Sequence, residues 1–355
     1  MATLHERETF FVGGSYTQGE DGNHRLSGQM YVEHLSPSRT EETKPFPLVF
    51  IHGATRTAND WITKPDGKPG WASFFLSRGY ELYLVDQPYR GRSAWPPGHG
   101  TIIAYTAEQI QQIFTACKQY EIWPQAALHT QWPGTGVMGD PIFDQLFAST
   151  LQMVGDTDLQ ERATQAACAA LLDRINRPVI LVGHSQGGST PLLVADVRPS
   201  QVKMIVTIEP VGPPFSKASF IKGPGARYGV SFAPITYDPP VSDPDTDFVK
   251  VDLKANSPSR VDCLQQAESP PPRQLINLKG IPVLLMTSQA SYHAQYDWAI
   301  VRYLRQAGVE AEHMELQGVG LLGNGHMMFL EENSDEIAAA LEGRIDEIVQ
   351  RRAAA

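Results

Sequence analysis

Val179-Ile180-Leu181-Val182-Gly183-His184-Ser185-Gln186-Gly187-Gly188 is the stretch that decides the fold. Four consecutive apolar residues, three of them β-branched, read as a strand buried on both faces. Gly183, Gly187 and Gly188 leave room for a sharp turn, and residues 186–197 resume as a helix. A serine between such a strand and helix is pushed out at the sheet edge on a strained turn. The first N–H groups of the new helix have no partner there, so Gln186 N–H points at any negative charge that develops beside the serine. The pattern G-x-S-x-G alone arises often by chance; the strand before it and the helix after it make it specific here.

Working outward, the same rhythm recurs. Leu48–Ile51 is apolar and ends in His52-Gly53; residues 81–85 form a strand ending at Asp86; Val202–Ile208, 281–286 and 311–316 continue the series. Trp71–Ser77 reads as a helix closed by Gly79, and 334–351 as a final helix with Ile337, Leu341, Ile345 and Ile348 on one stripe. Two strands at 9–16 and 29–35 open the chain. Apolar strands alternating with helices predict an α/β fold, a mostly parallel central sheet covered on both faces. Two stretches break the rhythm. Residues 95–164, mixing Pro, Gly and aromatics, are expected to form an inserted cap, with 1–94 and 165–355 as the core; residues 215–278 read as a long Pro-rich excursion over the sheet edge.

The chain of 355 residues carries a net charge of −10, 42% hydrophobic and 19% charged residues. No concentrated basic face is visible, which argues against nucleic acid. No apolar run reaches the roughly 18 residues of a membrane span. Cys117, Cys168 and Cys263 are too few and scattered for a disulfide framework or a zinc site. With no signal-peptide pattern at the start and no Asn-x-Ser/Thr acceptor, a cytoplasmic location is expected.

Ser185 needs a base and an acid, in the chain order serine, carboxylate, histidine. Only His293, His313 and His326 follow it. His313 falls inside a strand, and His293 sits at a helix entrance as a substrate contact. His326, in the loop Gly323-Asn324-Gly325-His326, is the expected base. The usual place for the acid, after the 281–286 strand, reads Thr287-Ser288-Gln289-Ala290-Ser291 and offers no carboxylate before Asp297. Glu209, at the end of Val202–Ile208, is the expected acid, with Asp297 the alternative. The second oxyanion donor is expected at Ala54, with Thr55 beside it. His52 is expected to be structural.

These features form a set: Pro45-Phe46-Pro47 before His52-Gly53, Pro65-Asp66-Gly67 with Gly70-Trp71, Val85-Asp86-Gln87-Pro88-Tyr89-Arg90-Gly91-Arg92-Ser93, the serine turn, and Gly323-Asn324-Gly325-His326-Met327-Met328. The set resembles a branch of bacterial and fungal α/β-hydrolase serine esterases whose acid is a Glu after the sixth strand, over about residues 10–345. The resemblance implies a Ser185–His326–Glu209 triad and carboxylic-ester hydrolysis. One departure stands out: Ala54-Thr55-Arg56 replaces the run of glycines such relatives often carry. It narrows the oxyanion loop, argues against bulky tertiary-alcohol esters and brings Arg56 within reach of the pocket.

An apolar or aromatic ester or lactone is the expected small-molecule substrate, from Trp61, Tyr89, Trp95, Trp123 and Trp132 near the mouth or cap and Tyr292 and Met327 beside the catalytic loops. No metal or organic cofactor is required. The long cap and an exposed sheet edge are compatible with a homodimer. Carbon–carbon bond hydrolysis, acyl transfer to an alcohol and non-catalytic ligand binding are alternatives on the same residues.

Overall fold

A computed structural model describes residues 4–38, 43–217, 220 and 223–353. Its centre is an eight-stranded sheet: β1 His5–Gln18, β2 His24–Pro37, β3 Leu48–Ile51, β4 Leu82–Asp86, β5 Val179–His184, β6 Val202–Ile208, β7 Val283–Thr287 and β8 Ala311–Glu315. They lie in the order β1-β2-β4-β3-β5-β6-β7-β8. Strands β3 to β8 run parallel, and β2 is antiparallel to β1 and β4. The first two strands are longer than the apolar pattern predicts. Polar residues 5–8 are drawn into pairing because the register with His34–Pro37 supplies main-chain hydrogen bonds whatever the side chains are.

Side chains alternate across the sheet, so each buried strand feeds two cores. Val49, Ile51, Leu181 and Leu285 face one side, where α3 Thr157–Ile175, α4 Thr190–Val197 and α5 Asp297–Gln306 pack. Leu48, Phe50, Ile180, Val182 and Val206 face the other, against α1 Trp71–Ser77 and α6 Ser334–Ala353. The stripe Ile337, Leu341, Ile345 and Ile348 is buried there.

Between β4 and α3 lie short helical turns, α2 Pro141–Ala148, and a two-stranded pair of Ile102–Ile103 with Met153–Val154. The boundary expected at 164 falls inside α3. That helix starts at Thr157, because the Asp156 side chain caps it by accepting from Leu159 N–H at 3.1 Å. The 215–278 stretch is more than an excursion over an edge. Val230, Ile235, Tyr237 and Phe248 join the core on the α3 side, and Lys250–Leu253 pairs with Cys263–Gln266 beside α5.

Glu161 of α3 fastens this stretch by accepting the N–H groups of Phe232 and Ala233, both at 2.7 Å. Burial raises its carboxyl to about 8. A folded value above the unfolded one means the contribution is complete below about pH 4.5 and is lost as pH rises through 8. Glu161→Gln keeps an acceptor for both N–H groups and removes the proton dependence. Thermal denaturation of both proteins should therefore show wild type losing about 3 kcal/mol relative to the variant between pH 5 and 8.5. A difference that stays constant over that range would show that Glu161 is ionised throughout.

Candidate active site

β5 delivers Gly183 and His184 into a tight turn, and Ser185 takes φ 55°, the left-handed region that costs a non-glycine residue free energy. Close packing holds it there. A Cβ on Gly183 would lie 2.3 Å from Gly187 O, and one on Gly187 2.3 Å from His52 O. The turn Ser185–Gly188 then leads into α4. Among the described residues Ala54 N–H donates to no partner, and Gln186 N–H belongs to the unpaired first groups of the turn. His52 lies beneath, its Nε2 accepting from Gln87 N–H at 3.0 Å and its Nδ1 against Gly53 O at 2.9 Å.

Glu209 leaves the end of β6 with φ 46° and is fully buried. Its Oε1 accepts from Ser288 N–H at 2.7 Å; its Oε2 accepts from Ser291 Oγ at 2.7 Å and meets His326 Nδ1 at 2.5 Å. The loop after β7, which lacks a carboxylate of its own, supplies the hydrogen bonds that hold one borrowed from β6. Burial raises Glu209 to about 7, while His293 and the two serines work to lower it. Burial, and then the neighbouring His293, hold His326 well below an ordinary imidazole. A neutral His326 whose Nδ1 is committed to Glu209 has its Nε2 lone pair free, the state a general base requires.

His326 is wedged in place. His293 stacks on His326 at 4.8 Å with planes 3° apart, and His184 lies at 4.4 Å with its Nε2 3.0 Å from His326 O. The preceding residues are gripped by Glu331, which accepts from Asn324 Nδ2 at 2.8 Å and from Gly325 N–H at 3.0 Å. Glu331 also pairs with His129, from the segment between β4 and α3, at 2.7 Å. Burial opposes charge on His129, but Glu331 offsets it and raises the imidazole to about 10.

Asp297 has another partner. Its carboxylate meets His293 Nδ1 at 3.0 Å and accepts from Thr287 Oγ1 at 2.7 Å. Glu209, His293 and His326 bring ligand atoms within 4.8 Å of one another. The two imidazoles are nearly parallel, however, so their in-plane lone pairs cannot converge on one ion.

A cavity of about 230 Å³ opens at Ser185. Ala54, Gln186, Tyr292 and His293 line it. The other expected contacts lie elsewhere. Trp61 is buried against Trp71 and Phe329, Trp132 and Met327 belong to the same core, and Trp95 is exposed with its Nε1–H on His99 O. Trp123 packs edge-on behind Tyr292 and donates to Ala290 O, one layer from the cavity. Tyr89 is held by Ser27 Oγ at 3.2 Å, and Thr55 bonds Ala54 O. Arg56 turns away from the cavity because Asp60 captures its guanidinium at 2.5 Å, with Leu146 O, Ser149 and Thr150 completing the shell. Among the wall residues the sequence reading missed are Tyr105, Met153, Lys217 and Phe232. All four come from the two irregular stretches. Their only sequence signal was that long loops in a compact domain carry function.

Residues 48–340 match the alpha/beta hydrolase family. The chain belongs to that family. It is 43% identical over 329 residues, 93% of its own length and 86% of the other's, to the "Probable secreted lipase phiG" of Fungal sp. (strain ATCC 74256). A solved structure described as a novel bacterial esterase superposes with a TM-score of 0.64 at 21% identity, covering 98% of this chain and 97% of that one, and shows the shared fold. Among the described residues no helix of this hydrolase-family protein is long and apolar enough to cross a membrane.

Proposed function

We propose that the protein is a serine hydrolase of carboxylic esters, with Ser185 as nucleophile, His326 as base, Glu209 as acid, and the N–H groups of Ala54 and Gln186 as oxyanion donors. The observation that carries the reading is the buried Glu209–His326 contact of 2.5 Å, which leaves His326 Nε2 without a partner among the described residues, together with a serine held at φ 55°. In the first step Ser185 Oγ bonds to the carbonyl carbon, its proton passes to His326 Nε2, and the carbonyl π pair moves onto oxygen. Collapse expels the alcohol, which takes that proton; water then repeats the sequence on the acyl-enzyme. Glu209 holds the ring so that Nε2 stays free and stabilises the imidazolium. No step calls for a metal or cofactor.

The cavity wall of Ile103, Met153, Phe232, Tyr105 and Tyr292 favours an apolar or aromatic acyl or alcohol group, lactones included. The lipase name of the fungal relative supports esters over carbon–carbon cleavage, and its description as secreted favours an extracellular site over the cytoplasm. Cys117, Cys168 and Cys263, all buried and unbridged, are compatible with either compartment. The test is a panel of p-nitrophenyl esters and aromatic lactones, with product analysis in water and in added alcohol. Release of free acid supports hydrolysis. Acyl product formed mainly on the alcohol would replace hydrolysis by acyl transfer, and wild type that neither turns over nor is labelled at Ser185 by a fluorophosphonate would replace catalysis by binding.

A further inference from the structure

Two arginines are buried near Ser185, and they differ in one respect. Arg56 has the Asp60 carboxylate on its guanidinium. Arg90, 2% exposed, has no carboxylate in contact among the described residues. Its Nη1 donates to Gly53 O at 2.6 Å, its Nη2 to Gln186 Oε1 at 2.5 Å, and its Nε has no partner. Asp86, the acid of the same loop, is taken up by Arg92 at 2.8 Å and by Ala58 N–H at 2.9 Å. Burial lowers Arg90 only to about 10, so it stays charged at neutral pH. Burying a cation without a counter-ion is costly, and the cost is tolerated where the field is used.

The location identifies the use. Gly53 precedes Ala54 and Gln186 follows Ser185, so the guanidinium bridges the two backbone segments that carry the oxyanion donors. Met153 and Gln186, both on the cavity wall, touch it. We propose that Arg90 is a positioning residue of the oxyanion site: it fixes the spacing of the Ala54 and Gln186 N–H groups and supplies from behind them a positive charge that no carboxylate contacts. This rests on the Ser185 reading above. The field acts on the alkoxide that forms as Ser185 attacks and scarcely on the neutral ester, so the stabilisation is selective for the transition state.

Gln186→Glu is the decisive variant. It keeps the hydrogen bond to Arg90 and the backbone N–H, and it places a carboxylate on the guanidinium. Expected is a fall in kcat/KM of about 100-fold on p-nitrophenyl butyrate, carried by kcat, with affinity for a trifluoromethyl ketone that forms a tetrahedral adduct weakened by the same factor. Arg90→Lys, which retains charge and loses the fork, should stay at least about tenfold above Arg90→Met. A folded Gln186→Glu within about threefold of wild type, a loss expressed in KM, or a lysine variant no better than methionine overturns the proposal. Fluorophosphonate labelling of wild-type Ser185, run alongside, separates the two levels. No labelling overturns the acyl-transfer reading itself; labelling together with an unimpaired Gln186→Glu overturns Arg90 alone.

Discussion

Ser185→Ala should lower turnover of a chromogenic short-chain ester by about 10⁶-fold, leaving what oxyanion donors and binding provide without a nucleophile. The size of the loss follows from what is deleted and what is spared. Only the hydroxyl goes, and His326 Nε2 has no partner among the described residues, so no Ser185–His326 hydrogen bond is there for the fold to miss. Alanine meets the same backbone strain at φ 55° as serine. The melting temperature should therefore move by no more than about 2 °C, and the affinity for a non-reactive substrate analogue should be unchanged. Activity within tenfold of wild type would place the nucleophile elsewhere.

Glu209→Gln should cost about 10⁴-fold in kcat with KM little changed. The amide is isosteric and can still accept from Ser288 N–H through its oxygen. Its NH2 group then faces Ser291 Oγ and His326 Nδ1, where two donors were received before. The imidazole can satisfy that amide only by turning Nδ1 into an acceptor, which moves its proton to Nε2 and leaves nothing to accept the Ser185 proton. Asp297→Asn is the control. It disturbs the pair with His293, not with His326, so its effect on kcat should stay below about tenfold. The reverse ranking would make Asp297 the acid.

Most of the fold was legible because its central strands β3 to β7 are largely apolar and the final helix carries one stripe. The serine turn was legible for the same reason: a strand and a helix frame it. Glu209 and His326 could be nominated by elimination at strand ends. The environment of Glu209 could not be foreseen. Nothing in Thr287-Ser288-Gln289-Ala290-Ser291 announces that Ser288 and Ser291 grip a carboxylate from 79 and 82 positions earlier in the chain. Trp61, Trp95 and Trp132 were misplaced because residue type says that an aromatic is buried or at a mouth, not which; only packing against Phe329 or solvent decides. Lys217 and Phe232 sit in irregular backbone, where no periodicity fixes the direction of a side chain.

The loop that carries His326 is tied to the segment between β4 and α3 by Glu331 on His129, and by Gly323 O, which accepts from Thr130 N–H at 2.9 Å. Arg56 and Thr55, next in the chain to Ala54, are tied to the same segment through Leu146 O and Leu151 N–H. A segment fastened to both the His326 loop and the loop after β3 cannot swing aside without pulling the two loops apart. Anyone grafting a different insertion onto this scaffold to change its specificity would thus have to carry over His129 and the Arg56 shell as fixed anchor points, and confine redesign to the cavity-lining positions outside them, Ile103, Tyr105 and Met153.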